Sequence, residues 1–138
     1  MTPLEWTPTL SVGHDSIDGQ HRELFDRAGQ FFVAASSGSR DREPNLTRAF
    51  LYLDSYVRFH FAQEEALMSR LGYPGLAEHR EEHRDYIRRL DAVKSQYESE
   101  GDSASVVAAV DGLLRLWLVE HIGTSDRRVG AFAASRGD

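Results

Sequence analysis

Residues 60–83 read HFAQEEALMSRLGYPGLAEHREEH, and this stretch decides the fold. His60 precedes Glu64 by four residues, and His79 precedes His83 by four. Four residues of an α-helix advance about 400°, so each pair projects from one helix face, one turn apart. The tetrapeptide GYPG between the pairs would interrupt a helix. We therefore predict a helical hairpin whose two arms present facing pairs of side chains that can bind a metal.

Apolar residues recur every three or four positions in four segments of the chain, which predicts four amphipathic helices. The predicted helices cover about residues 15–36, 43–71, 75–98 and 103–123. Residues 1–14 contain prolines and a glycine that interrupt regular structure, so we expect an N-terminal arm before the first helix. Residues 127–138 form a small, polar tail that is expected to fray. Short connections between such helices predict an all-α fold, an antiparallel up-down-up-down four-helix bundle that forms a single domain over residues 1–138.

The composition excludes several classes of function. The chain of 138 residues has a formal net charge of −6 and no cysteine. An acidic chain is poorly suited to nucleic acid, and without thiolates any metal must be held by nitrogen and oxygen ligands. The sequence shows neither a signal peptide nor an apolar run of the ~20 residues that span a bilayer, so we expect a cytoplasmic protein without membrane contact. The periodicities leave no exposed apolar patch, which favours a monomer.

Every predicted helix carries polar side chains within its apolar stripe. These candidate metal ligands are His21 on the first helix, His60 and Glu64 on the second, His79 and His83 on the third, and His121 with Asp126 at the end of the fourth. Asp126 would lie about 140° from His121 on a straight α-helix, so it can reach the same site only if the helix ends or kinks near Gly123.

Five buried imidazoles without a metal would need hydrogen-bond partners for ten ring nitrogens, and the apolar stripes offer too few polar groups for that. The seven side chains therefore predict a metal site. Seven ligands exceed the four of a single zinc ion and suit two six-coordinate ions bridged by two carboxylates. Nitrogen and oxygen ligands without thiolate favour iron or manganese.

The order H, HxxxE, HxxxH, HxxxxD resembles the hemerythrin family, and the surrounding phrases resemble its bacterial members. Those phrases are IDGQH at 17–21, HFAQEEALM at 60–68, GYP at 72–74 and WLVEHIGTSD at 117–126. Together they extend the resemblance over nearly the whole chain.

The resemblance implies two non-heme iron ions, joined by an oxo or hydroxo bridge, that bind O2 reversibly for transport, storage or delivery. It implies one iron ion held by His79, His83 and His121, a second held by His21 and His60, and Glu64 and Asp126 bridging the two. It also implies an O2 pocket lined by Phe61, Trp117 and Leu118, although plain core packing would explain these three residues equally well.

A carrier of this kind is not an enzyme, so we assign no catalytic residue. The alternative that the sequence leaves open is an O2 or redox sensor, or a peroxide- or NO-handling protein, that uses the same site and acts with an unidentified O2-consuming or signalling partner. Two enzyme classes fit poorly. Ferritin-like di-iron sites use Glu-x-x-His pairs, which this chain lacks. A zinc protease needs H-E-x-x-H, but Arg80 follows His79.

Overall fold

A computed structural model describes residues 4–38, 40 and 42–138, apart from the side chains of Leu116 and Trp117. Its regular elements are all helical, as the sequence predicts. After a short 3-10 turn at Pro8–Leu10, the long helices are α1 (Asp15–Ala35), α2 (Arg42–Leu71) and α3 (Leu76–Glu100). The fourth part of the bundle, which we call the C-terminal run, covers residues 104–135.

The C-terminal run alternates α-helical and π-helical segments. It comprises α4 (Ala104–Gly112), a first π turn (Leu113–Leu118), α5 (Val119–His121), a second π turn (Ile122–Asp126) and α6 (Arg127–Ser135). The residues at the junctions keep right-handed helical dihedral angles, so the run continues without a break. The sequence does not predict these π turns, which add one residue to a turn of helix and often mark functional sites.

Local sequence explains where the helices begin and end. The His14 side chain accepts a hydrogen bond from the Ile17 amide at the start of α1. Gly72 adopts a left-handed conformation, with φ of 70°, and lets the chain reverse between α2 and α3. Ser103 caps α4 through the Val106 amide.

The predicted fraying of residues 127–138 is wrong. The chain is helical to Ser135, and Val129, Gly130 and Ala133 are buried. The composition of the tail does not show that these small apolar residues share one face of α6, where Gly130 packs against Val12 of the N-terminal arm. A Cβ atom at Gly130 would lie 1.8 Å from the Val12 carbonyl oxygen, so only glycine permits this close approach.

The apolar faces of the helices meet in one core. Its large, fully buried side chains include Leu24, Phe31, Phe50, Leu53, Met68, Tyr86, Leu114, Leu118 and Ile122. Within the described residues, no helix is both long enough and apolar enough to cross a membrane. The buried polar residues concentrate in the core between α1, α2, α3 and the C-terminal run, where the packing positions the candidate site.

Candidate metal centre

The seven side chains predicted as metal ligands converge in the interior of the bundle. Their relative exposures lie between 0% and 4%, which leaves none of them open to bulk water. His21 comes from α1, His60 and Glu64 come from α2, His79 and His83 come from α3, and His121 and Asp126 come from the C-terminal run. Every part of the bundle therefore contributes at least one imidazole.

The Glu64 carboxylate lies between imidazoles of two helices. Its Oε2 atom is 3.5 Å from His60 Nε2 on the same helix, and its Oε1 atom is 3.2 Å from His83 Nε2 on α3. His79 Nε2 is also in close contact with Oε1. Glu64 is thus within reach of histidines on both sides of the cavity.

The Asp126 carboxylate, which comes from the C-terminal run, lies between imidazoles of α1, α3 and its own run. Its Oδ2 atom is 3.0 Å from His21 Nε2, and its Oδ1 atom is 3.0 Å from His79 Nε2 and 2.9 Å from His121 Nε2. The two carboxylates therefore come from different helices and share one ring nitrogen, His79 Nε2, while each also approaches two further histidines.

The second π turn explains how Asp126 reaches the site. A π turn holds about one residue more than an α turn, so a spacing of five residues there does what a spacing of four does in an α-helix. His121 and Asp126, five apart across Ile122–Asp126, consequently project from one face. A helix end or kink near Gly123 is expected from the sequence if Asp126 is to reach the site, but the helix continues and widens instead.

The ligand atoms form two overlapping groups, in each of which all atoms lie within 4.8 Å of one another. One group contains Glu64, His79, His83, His121 and Asp126. The other contains His21, His60, Glu64 and Asp126. The two carboxylates belong to both groups, and the five histidines divide three to two between them.

Several buried atoms of this cluster have no hydrogen-bond partner among the described residues. They are Nε2 of His60, His79 and His83, both carboxylate oxygens of Glu64, and Oδ1 of Asp126. A buried polar atom left unsatisfied costs about 1–3 kcal/mol, and more when it is charged. A divalent cation would satisfy nitrogen lone pairs and carboxylate oxygens together, so the residues present fit a metal ion.

Burial and mutual charge perturb the pKa values of the metal-free site. Burial, reinforced by the neighbouring histidines, lowers the pKa of His60 to about 3 and that of His83 to about 4, which keeps both imidazoles neutral at pH 7. Burial and the charge of Asp126 raise the pKa of Glu64 to about 8. Neutral imidazoles are the protonation state that binds a metal.

The pKa of His79 is raised and that of Asp126 is lowered, because imidazole and carboxylate groups lie side by side in the site. Burial alone would lower the pKa of His79, but the adjacent carboxylates of Asp126 and Glu64 outweigh it and raise that pKa to about 10. Burial would raise the pKa of Asp126, but the surrounding imidazoles hold it well below its usual value. Without a metal, the carboxylates retain a proton on the nearest imidazole, and a bound cation would take over that role.

Comparison with known proteins agrees with this geometry. The family model described as the Hemerythrin HHE cation binding domain matches residues 12–133. The chain belongs to the hemerythrin family. Family membership and the cluster of histidine, glutamate and aspartate side chains together point to a di-iron site in this hemerythrin.

The relatives of this hemerythrin include bacteriohemerythrins and a myohemerythrin. A bacteriohemerythrin of Stenotrophomonas maltophilia is 30% identical over 127 residues, which cover 92% of this chain and 79% of that protein. A bacteriohemerythrin of Clostridium acetobutylicum is 27% identical over 123 residues, 88% of this chain and 95% of that protein. Myohemerythrin-1 of Phascolopsis gouldii is 31% identical over 124 residues, 90% of this chain and 89% of that protein.

This hemerythrin also has polar residues around the cluster that the sequence analysis does not identify. Glu65 follows Glu64, and its Oε2 atom accepts a hydrogen bond from His83 Nδ1 at 2.8 Å. Arg80, on the charged face of α3, donates to the other oxygen of Glu65 at 3.2 Å. Their positions in the sequence could have indicated this role, because each of these residues directly follows a predicted ligand.

Two further side chains of the same kind flank the cluster. Gln20, which precedes His21, lies with Oε1 2.7 Å from His60 Nδ1. Glu82, which precedes His83, lies with Oε2 3.0 Å from His121 Nδ1. A helix that supplies a ligand thus also supplies, one residue away, a contact to an imidazole of another helix.

Phe61 and Leu118, two of the three predicted lining residues of an O2 pocket, are buried, and Phe61 contacts the cluster. The Phe61 ring stacks on the His83 imidazole at a centroid distance of 3.9 Å, with an angle of 4° between the planes. Leu118 is fully buried, whereas the side chain of Trp117 lies outside the described part of the structure. A surface pocket of about 520 Å³ reaches Phe61 and His83 from solvent.

Proposed function

We propose that this hemerythrin binds O2 reversibly at a non-heme di-iron centre and is a carrier or store rather than an enzyme. The observation that carries the proposal is the pair of overlapping ligand groups, which share Glu64 and Asp126. Two groups that share two carboxylates match two metal ions with two bridging ligands, whereas a single ion would leave several of the seven side chains unused.

Each iron ion has its own set of histidines in this proposal. His79, His83 and His121 would hold one iron, His21 and His60 would hold the other, and Glu64 and Asp126 would be shared by both. The second iron would have one fewer histidine, which would leave room for an exogenous ligand. The names of the relatives, bacteriohemerythrin and myohemerythrin, support the assignment.

The iron pair, when bound together with its oxo or hydroxo bridge, supplies the electrons that hold O2. The residues of the chain bind and orient these ions and keep water away from them. Phe61 contributes an apolar wall, since its ring is almost completely buried and stacks on the His83 imidazole. Apolar walls favour reversible binding because they exclude the water and protons that would otherwise promote irreversible oxidation of the iron.

The test is an iron count combined with visible absorption spectra of the protein, first reduced without air and then exposed to O2. We expect two iron ions per chain and a charge-transfer band that appears with O2 and disappears when O2 is removed. A protein that binds two iron ions but passes directly to a stable diferric state would instead be a sensor or a peroxide- or NO-handling protein. A protein that binds no iron, or a single zinc ion, would contradict the di-iron proposal.

A further inference from the structure

The histidines of the cluster differ in what their outer ring nitrogens face. An imidazole that binds a metal through one nitrogen presents the other to the protein, and the partner there sets the orientation and basicity of the ring. The outer nitrogens of His83 and His121 face carboxylates at 2.8 and 3.0 Å. The outer nitrogen of His60 faces the side-chain amide of Gln20 at 2.7 Å. The first two histidines belong to the three-histidine group, and His60 belongs to the other.

The chemistry of His60 determines how the Gln20 amide is oriented. His60 Nε2 is directed into the cluster, 3.5 Å from Glu64 Oε2, and a lone pair on this atom is required for metal binding. The proton of the neutral ring therefore resides on Nδ1, which donates to the Gln20 oxygen. An amide oxygen accepts this hydrogen bond without adding a negative charge, unlike the carboxylates on the three-histidine side.

Gln20 is too closely tied to the cluster to be an ordinary surface glutamine. It is half-buried on α1, next in sequence to the candidate ligand His21, and its side chain crosses to α2 to meet a histidine that is 1% exposed. The backbone position of Gln20 is fixed by the same helical turn that places His21 in the site. One turn of α1 thus supplies a ligand and orients a second ligand on the neighbouring helix.

We propose that Gln20 is a positioning residue, which orients His60 toward the two-histidine iron and keeps that iron less electron-rich than its neighbour. The inference rests on the proposed di-iron function. A carboxylate on the outer nitrogen raises the basicity of an imidazole ligand and favours the ferric state, whereas a neutral amide favours the ferrous state. Reversible O2 binding starts from ferrous iron, so a neutral partner on the side that receives the ligand suits the function.

The decisive variant is Gln20→Glu, which keeps the acceptor and adds a charge. We expect it to retain two iron ions per chain, to lower the midpoint potential of the iron pair and to speed its oxidation in air. Gln20→Ala, which removes the acceptor, should weaken iron binding by about tenfold to a hundredfold, the range typical of lost outer hydrogen bonds at metal sites. Chelator competition measures the affinity, and spectroelectrochemistry measures the potential.

Two controls separate a positioning role from a general effect. Gln30→Glu makes the same chemical change at an exposed position of α1 and should leave potential and affinity unchanged. Glu65→Gln removes the charge that faces His83 and should move the potential in the opposite direction from Gln20→Glu. Thermal unfolding of the apoproteins shows whether each variant folds, and Glu65→Gln still tests the charge effect if a variant at Gln20 does not.

The outcomes distinguish this inference from the proposed function. If the unchanged protein binds two iron ions but Gln20→Glu has the same potential as Gln30→Glu, the role of Gln20 is refuted and the di-iron assignment stands. A potential that shifts in the same direction in Gln20→Glu and Glu65→Gln would also refute it. If the unchanged protein binds no iron pair, the proposed function itself fails, and this inference fails with it.

Discussion

Glu64 is the residue on which most of the proposed chemistry depends, because its carboxylate approaches histidines of both α2 and α3. Glu64→Ala should therefore reduce the iron content from two ions to about one per chain, with the remaining ion bound more weakly. Gln63→Ala changes an exposed neighbour on the same helix and is the matched control. An iron assay after anaerobic loading checks the prediction, and a Glu64→Ala protein that keeps two iron ions would contradict the assignment of this residue.

Acid should destabilise the apoprotein through His60 and His83. Both have pKa values lowered by burial, to about 3 and about 4, so below about pH 6.5 the unfolded chain binds two protons that the folded chain does not. Glu64 has the opposite effect on stability, because its pKa in the folded chain is raised to about 8. Between about pH 8 and pH 4.5, its carboxyl group binds a proton in the folded chain but not in the unfolded chain. The net effect is a loss of stability as pH falls from 6.5 to 4.5.

Urea unfolding of the apoprotein at a series of pH values measures this loss. His83→Gln removes one of the two titrating groups and should flatten the pH dependence between pH 6.5 and 4.5. A stability that is constant or rises over this range would show that the two histidines are not buried as neutral groups in the absence of metal.

At the scale of single elements, the second π turn sets the position of Asp126. Insertion of one alanine after Gly123 would rotate Asp126 by about 100° away from His121 and should abolish binding of the iron pair. Deletion of Gly123 should be better tolerated, because the turn can then become α-helical and four residues would again place the two side chains on one face. Iron content measures both variants, and equal loss in the two would contradict this account of the π turn.

The contact between α6 and the N-terminal arm depends on Gly130. Gly130→Ala would bring a Cβ atom into the Val12 carbonyl group and should destabilise the protein by about 1–3 kcal/mol, as overpacking usually does. Gly112→Ala is the matched control, because open space surrounds that glycine and alanine is the better helix former by about 1 kcal/mol. Urea unfolding should thus show opposite signs for the two substitutions. If both substitutions destabilised the protein, the close approach of Val12 would not explain why glycine is needed at position 130.

At the scale of the whole molecule, the proposed metal centre joins every part of the bundle. A ligand that binds only the folded state stabilises it by about 4 kcal/mol when present at a thousand times its dissociation constant. Loading with iron should therefore raise the melting temperature on the order of 10 °C above that of the apoprotein. Calorimetry of the loaded and chelator-treated protein measures the shift, and identical melting temperatures would contradict a centre that ties the helices together.

The sequence predicts the bundle and the convergent side chains because both depend on local periodicity. The spacings of His60 with Glu64 and His79 with His83 follow from an ordinary α-helix, and the structure brings these residues together. Periodicity cannot predict the widened turn before Asp126, since it assumes 3.6 residues in every turn, whereas a π turn contains about one residue more. The α-helical extension to Ser135 was missed for a related reason, because the surface against which it packs is distant in sequence.

The roles of Gln20 and Glu65 could not be deduced from helix faces alone. Both lie about 100° from the nearest ligand on their own helix, and that direction is exposed on an isolated helix but faces a neighbouring helix in the bundle. Whether such a side chain meets solvent or an imidazole depends on the rotation of the adjacent helix, which the sequence does not specify.

Two candidate ligands are next in sequence to a residue that contacts an imidazole of another helix, and this arrangement has a mechanical consequence. Because His21 and Gln20 are rigidly coupled by one helical turn, a small rotation of α1 about its axis would displace its own imidazole and, at the same time, pull on the His60 imidazole of α2. The same holds for Glu64 and Glu65 on α2. The colour of the iron centre should then report torsion of the bundle, so that a core substitution far from the site registers optically before it registers as unfolding.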